Sequence, residues 1–181
     1  MKLNIGCGSN LVKGFVNMDK FYPHKDVKVG DILDTGLKPD SVDYIICDQV
    51  LEHLKMADII PALYEMRRIL KKGGKCVIIV PDFEDAVKQW LAQDHNGAFE
   101  PMKYHWLSEV IYGNQLHDGE FHKTPMCAGF LHNALNVAGL TKHEISFFPA
   151  FGAIPVREGM RPYAKNAVLR NAQLVCDITK T

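Results

Sequence analysis

Two groups of residues in this chain have types and spacings suited to chemistry. The first is the turn Gly6-Cys7-Gly8, with Asn10 beyond it, at the end of the short run Leu3-Asn4-Ile5. Glycine takes up backbone conformations that a Cβ forbids, so such a turn can be tight and a ligand can lie against bare main chain. Asp19 closes the next apolar run, Gly14-Phe15-Val16-Asn17-Met18, and Asp31 closes Val27-Lys28-Val29-Gly30 in the same way. A carboxylate at such a place can accept hydrogen bonds from both hydroxyls of a ribose. The second group is His117, Asp118, Glu120 and His122, inside a polar and aromatic stretch that also holds Tyr104, His105, Trp106 and Tyr112. His122, His117 and Glu120 are the candidate general bases. They are poorly spaced as metal ligands: histidines five apart do not share a helical face, and no HExxH pattern occurs, so no metal is expected.

Two ligands compete for the glycine turn. A dinucleotide fingerprint requires a third glycine where Leu11 stands, and an acid about 20 residues further on, whereas Asp19 comes much sooner. No GxxxxGK[ST] phosphate loop occurs either. A glycine turn followed by an acid, with no phosphates to cradle, suits a nucleoside that carries an amino acid, namely S-adenosylmethionine (SAM).

The elements that must position these residues are legible in outline. Lys2 to Ile5 and Val42 to Cys47 read as central parallel strands buried on both faces. Only about ten residues separate Gly8 from Asp19, fewer than the dozen or more that a parallel crossover normally takes. A single turn or bare loop is expected there. Asp34 to Ser41 is turn chemistry without room for a long helix. Ile59, Ile60, Leu63, Met66, Ile69 and Leu70 recur at helical spacing, with Pro61 expected within the first turn and Gly73-Gly74 as the left-handed cap. Lys75 to Val80 reads as the fifth strand, and Asp82 as the cap of a helix through Phe83, Val87, Trp90 and Leu91. Thr124-Pro125 reads as the start of another helix, running to Gly139. Glu144 to Phe148 and Ala172 to Ile178 are expected strands, with Pro149 to Asn171 as a long excursion between them.

Four blocks, Lys2 to Asp19, Gly30 to Ile32, Ser41 to Leu54 and Arg68 to Asp82, resemble in that order the class I SAM-dependent methyltransferases, particularly the compact type-11 group. The resemblance covers roughly the first half of the chain, and the stretch from Tyr112 to Leu140 matches more loosely. It implies a single-domain α/β fold over residues 1–181: a Rossmann-like three-layer sandwich, mostly parallel, with an antiparallel last strand and a shortened first crossover. Residues 1–82 would form the cofactor half and 83–181 the substrate half. The expected cofactor contacts are Gly6, Cys7, Gly8 and Asn10 at the turn, Asp19 at the ribose, Asp31 and Ile32 beside adenine, and Asp48, Gln49 and Leu51 towards methionine. His122 leads the candidate bases because it falls in the matching segment. Glu52 and His53 are expected to be structural.

Composition bounds the rest. At 181 residues, with 47% hydrophobic and 23% charged, the chain suits one soluble domain. Lys plus Arg equals Asp plus Glu at 21 each, so no global field draws it to nucleic acid or an anionic membrane. The local cluster Arg157, Arg161, Lys165 and Arg170 reads as a solvated loop. Five cysteines without a CxxC pair read as reduced thiols, and with no apparent signal peptide or membrane-spanning run the expected location is the cytoplasm.

Methyl transfer from a sulfonium expels a neutral thioether, so the leaving group needs no acid. Orientation can supply about 7–11 kcal/mol, against about 10²–10⁴ in rate for a general base. The expected acceptor is a small molecule or sugar, with protein and nucleic acid as open alternatives and oligomeric state unassigned. The rival class is a non-catalytic SAM- or S-adenosylhomocysteine (SAH)-binding module, or the silent subunit of a heteromer.

Overall fold

Strands covered on both faces need apolar side chains on both, and Val42–Asp48 and Leu70–Pro81 supply them. The computed structural model describes residues 1–92, 108–148 and 172–181, and these form one seven-stranded sheet. Its strands are β1 (Lys2–Ile5), β2 (Val16–Asp19), β3 (Lys28–Val29), β4 (Val42–Asp48), β5 (Leu70–Pro81), β6 (His143–Phe148) and β7 (Gln173–Thr179). Their order is β3-β2-β1-β4-β5-β7-β6. β1 to β5 pair in parallel, and β7 runs antiparallel to both β5 and β6. The carboxyl ends of β1 to β5 therefore share one edge.

The pleat sorts the core onto two faces. Leu3, Ile5, Ile45, Cys47, Ile78, Val80, Leu174 and Cys176 face one way and pack with α1 (Met56–Ile69) and α3 (Ala128–Val137). Ile46, Val77, Ile79 and Val175 face the other way, beneath Val12, Phe15 and Phe148. α2 (Phe83–Leu91) packs Ala86 and Trp90 against Val110.

Residues 6–15 cross from β1 to β2 without a helix. Asparagines hold this loop where apolar side chains would otherwise receive one. The Asn4 amide donates to the Asn10 carbonyl at 2.7 Å and to Asn17 Oδ1 at 3.0 Å. Asn17 Oδ1 also accepts the Val12 amide at 2.9 Å. Both side chains are buried, so their polar groups must be paired, and the loop backbone pairs them.

Three local expectations are corrected. The helix does not reach Gly73-Gly74: α1 ends at Ile69 and β5 begins at Leu70. The register jumps from Val42↔Leu70 to Tyr44↔Lys75, and Gly73 at φ 74° turns this bulge, its amide donating to the Lys180 carbonyl. Pro61 lies in the helix interior, five residues after Met56, rather than in the first turn. Thr124 caps no helix. Its hydroxyl donates to the Leu54 carbonyl at 2.7 Å, and α3 starts four residues later with Cys127 at its cap. Asp82 does cap α2, accepting from the Glu84 and Asp85 amides. Tyr104, His105, Trp106, the cluster Arg157 to Arg170 and the 149–171 excursion lie outside the described residues.

Candidate functional site

β1, β2, β3 and β4 each end in a residue or turn that faces one cleft at their shared edge. Gly6 follows β1 with φ 64°, and a Cβ there would meet Val50 Cγ2 at 2.3 Å, so both the turn and the packing require glycine. Asp19 ends β2. Its Oδ2 accepts the Gly8 amide at 2.8 Å, and its Oδ1 accepts the Phe21 and Tyr22 amides at 2.7 and 2.9 Å. The carboxylate thus staples the glycine turn to the end of β2. Asp31 follows β3; its Oδ2 accepts Lys20 Nζ at 2.7 Å and its Oδ1 the Leu33 amide at 3.0 Å. Partial burial works to raise its pKa, but those two donors outweigh burial and hold it below the ordinary value. Gln49 follows β4 at φ 57°, an unusual conformation for a residue with a side chain. Its amide nitrogen donates to the Gln173 side chain at 2.7 Å, joining β4 to the start of β7.

The cleft encloses about 330 Å³, within the range of roughly 300–1,000 Å³ usual for small-ligand pockets. Of the expected cofactor contacts, Gly6, Asp19, Asp31, Ile32 and Gln49 line it. The others stand behind that lining. Cys7, Asp48 and Leu51 are buried, Gly8 acts through its amide on Asp19, and Asn10 receives Asn4 through its carbonyl. Sequence reasoning missed Lys20, Phe21, Leu33, Val50 and Gly119 in the lining. Lys20 and Phe21 immediately follow the acid that closes β2, and Leu33 follows Asp31 by two, so the residues after each closing acid were the available signal.

The second group folds over the first. Gly113, at φ 79°, lets the chain turn so that the His122 amide donates to the Tyr112 carbonyl at 3.0 Å; a Cβ there would lie 1.9 Å from the Glu120 carbonyl oxygen. His117 is exposed, 6.5 Å from the Phe21 ring and 3.4 Å from the Glu120 carboxylate. His122 does not line the cleft. It packs edge-on against His53, ring centroids 4.8 Å apart, and His53 is the imidazole in the cleft wall. The Glu52 main-chain carbonyl accepts the Lys123 and Thr124 amides, which ties the turn after β4 to the segment before α3. The Glu52 side chain is 2% exposed, and neither carboxylate oxygen has a hydrogen-bond partner among the described residues. Burial pushes its carboxyl up to about 8, opposed in part by Glu52's own backbone amide and reinforced by the charge of Asp48. Burial, with the neighbouring His122, pushes His53 down to about 4, and burial also lowers His122.

An open, mostly parallel sheet whose strand order reverses at β1, with a ligand-sized cleft beyond that point, is the arrangement in which doubly wound α/β proteins bind their ligands. Residues 6–78 match the family described as "Methyltransferase domain". An uncharacterized protein of Methanocaldococcus jannaschii is 28% identical over 132 residues, 64% of this chain; the chain spans 57% of that relative's length. A SAM-dependent methyltransferase from Archaeoglobus fulgidus superposes with a TM-score of 0.59 at 15% identity, covering 99% of this chain and 85% of that one. A putative methyltransferase of Haloferax volcanii, in complex with the Trm112 methyltransferase activator, gives 0.54 at 19% identity over 99% and 82% of the two chains. At these identities the structural likeness speaks for the fold.

Proposed function

We propose that this protein is a SAM-dependent methyltransferase that carries the methyl group to a small-molecule or sugar acceptor, with the cofactor in the cleft beyond β1 to β4. One observation carries the placement: the glycine turn and the two acids that close β2 and β3 converge on a single cavity. Asp19 would meet the ribose with the acceptor capacity left after its three amide bonds, since a carboxylate has about four lone-pair sites. Asp31, Ile32 and Leu33 would flank adenine, and Gly6 and Gln49 the methionine end.

The acceptor would enter beside His53, Gly119 and Lys123 on the remaining wall. Phe21, Tyr112, Leu116 and Phe121 are exposed apolar residues in the segments that frame this wall, and such a rim suits an acceptor with an apolar face. In the reaction the acceptor's lone pair attacks the methyl carbon and the carbon–sulfur pair returns to sulfur. The acceptor then loses its proton. His117 and Glu120 belong to the turn against Phe21, and His122 lies behind His53; a base drawn from them would act at the rim or through His53.

Calorimetric titration with SAM and SAH tests the cofactor. Labelled SAM offered with metabolite, protein and RNA extracts then tests the acceptor. Label in the small-molecule fraction is the expected result, and label confined to protein or RNA overturns the acceptor class. Tight SAH binding with no transfer to any extract would instead favour a binding module or the silent subunit of a heteromer.

A further inference from the structure

The sequence reading gives Glu52 and His53 a structural role and His122 a catalytic one, yet the fold brings one ligand-capable atom of each within 4.8 Å of the others. The two imidazoles are oriented from behind. His53 Nδ1 lies 3.2 Å from the Phe121 carbonyl, and His122 Nδ1 lies 2.7 Å from the Val110 carbonyl. A carbonyl only accepts, so each Nδ1 carries the hydrogen and each Nε2 presents a lone pair. Imidazoles that hold metals are usually fixed in this way, through the ring nitrogen that does not bind the ion. The third member, the Glu52 side chain, is buried with neither oxygen hydrogen-bonded to another described residue, and it is close enough to buried Asp48 for its charge to be felt. An unpartnered buried carboxyl is costly, and a cation is one of the few partners that would satisfy it beside two neutral imidazoles.

The geometry points to a binding site for one divalent transition ion of the zinc class, held by Glu52, His53 Nε2 and His122 Nε2 at the wall of the methyl-transfer cleft. Two nitrogens and one carboxylate oxygen suit zinc, cobalt or iron(II) better than magnesium or calcium, which favour all-oxygen shells. Three protein ligands leave a position open in a tetrahedral site. Because His53 also lines the cleft, an acceptor oxygen could fill that position and lose its proton more readily, as metal-bound water does. The sequence reading expects no metal because it weighed His122 against its neighbours His117 and Glu120. The partners lie about seventy positions earlier, on the turn after β4.

The test uses the full-length, tag-free chain stripped with chelator and titrated with cobalt(II), then with zinc in competition. The expected result is one ion per chain, with visible d–d bands of low coordination number that zinc abolishes. Glu52→Gln and His122→Ala should each weaken binding about tenfold or more. His132→Ala should leave it unchanged, and it controls for the other close histidine pair, His132 and His143, with nitrogens 2.9 Å apart. Circular dichroism and SAH titration of each variant separate lost metal from a lost fold or a lost cofactor site. Should a variant fail to fold, imidazole resonances of the wild-type chain give the same answer: zinc should shift those of His53 and His122. Wild-type protein that binds no stoichiometric cobalt, or zinc shifts confined to His132 and His143, overturns the site.

Discussion

In the proposed complex Asp19 has two tasks on one carboxylate, and they can be separated. It accepts three backbone amides, which fixes the glycine turn, and in the proposed complex it also receives the sugar. Asp19→Ala should weaken SAH binding by about 1.5–3 kcal/mol, the scale of hydrogen bonds to a charged group. It should also speed amide exchange at Gly8. Faster exchange with unchanged affinity would leave Asp19 a staple alone. The acid was legible in the sequence because it ends a short apolar run. Its bonds to Phe21 and Tyr22 were not, because they depend on how the chain turns after β2. The same limit hid the pairing of His53 with His122: spacing reports neighbours along a helix or strand, and these two meet only through the fold. Cys7 and Leu51 are buried, which the residue types beside a ligand-facing turn do not by themselves announce.

At the scale of elements, side-chain pins replace missing helices twice. Asn17 holds the β1–β2 loop, and Asn17→Ala would leave the Val12 amide and the Asn4 side chain without that partner, at a cost of about 1–3 kcal/mol. Hydrogen exchange at Val12 should rise with the loss; unchanged exchange would show that something else holds the loop. Glu65 performs the second pinning, joining α1 to the turn after β3. It accepts the Thr35 amide and hydroxyl at 2.9 and 2.6 Å, and pairs with Arg68. Burial alone would raise its carboxyl, but the bonds from Arg68 and Thr35 outweigh burial and hold it at about 2, against an ordinary 4.5. A depressed folded-state pKa stabilises above the unfolded value, and that stability disappears as pH falls from about 4.5 towards 2. Glu65→Gln should therefore cost about 1–3 kcal/mol at pH 7, Arg68 being partly exposed and screened, and much less near pH 2.5. Urea unfolding at the two pH values checks this, and an equal loss at both would remove the charge from the account. The strands were legible because apolar runs outlast local detail. The end of α1 was not: Lys71, Lys72, Gly73 and Gly74 spell a helix terminus, but pairing with Lys180 draws them into a bulged strand.

For the whole molecule, the question is whether the cofactor half and the substrate half fold as one. β7 comes from the chain's last residues, yet it lies between β5 and β6 and pairs with β5 from Lys75↔Thr179 to Pro81↔Gln173. The larger core cluster is continuous from Leu3 on β1 through Leu63 on α1 and Leu135 on α3 to Ile178 on β7. Lys180 ties the same strand to Asp40 and to the Leu70 carbonyl, and Gln173 meets Gln49 beside the cleft. Cutting after Asp82 would expose the β5 edge and half of a buried core, a loss that a small remaining sheet has little apolar surface to offset. The chain should then unfold in a single transition, with tryptophan fluorescence and far-ultraviolet dichroism giving coincident urea curves. Residues 1–82 alone should be unfolded or aggregated. Two separated transitions, or a soluble and cooperatively folded 1–82 fragment that binds SAH, would mean that the cleft is built by the first half and merely adjoined by the second.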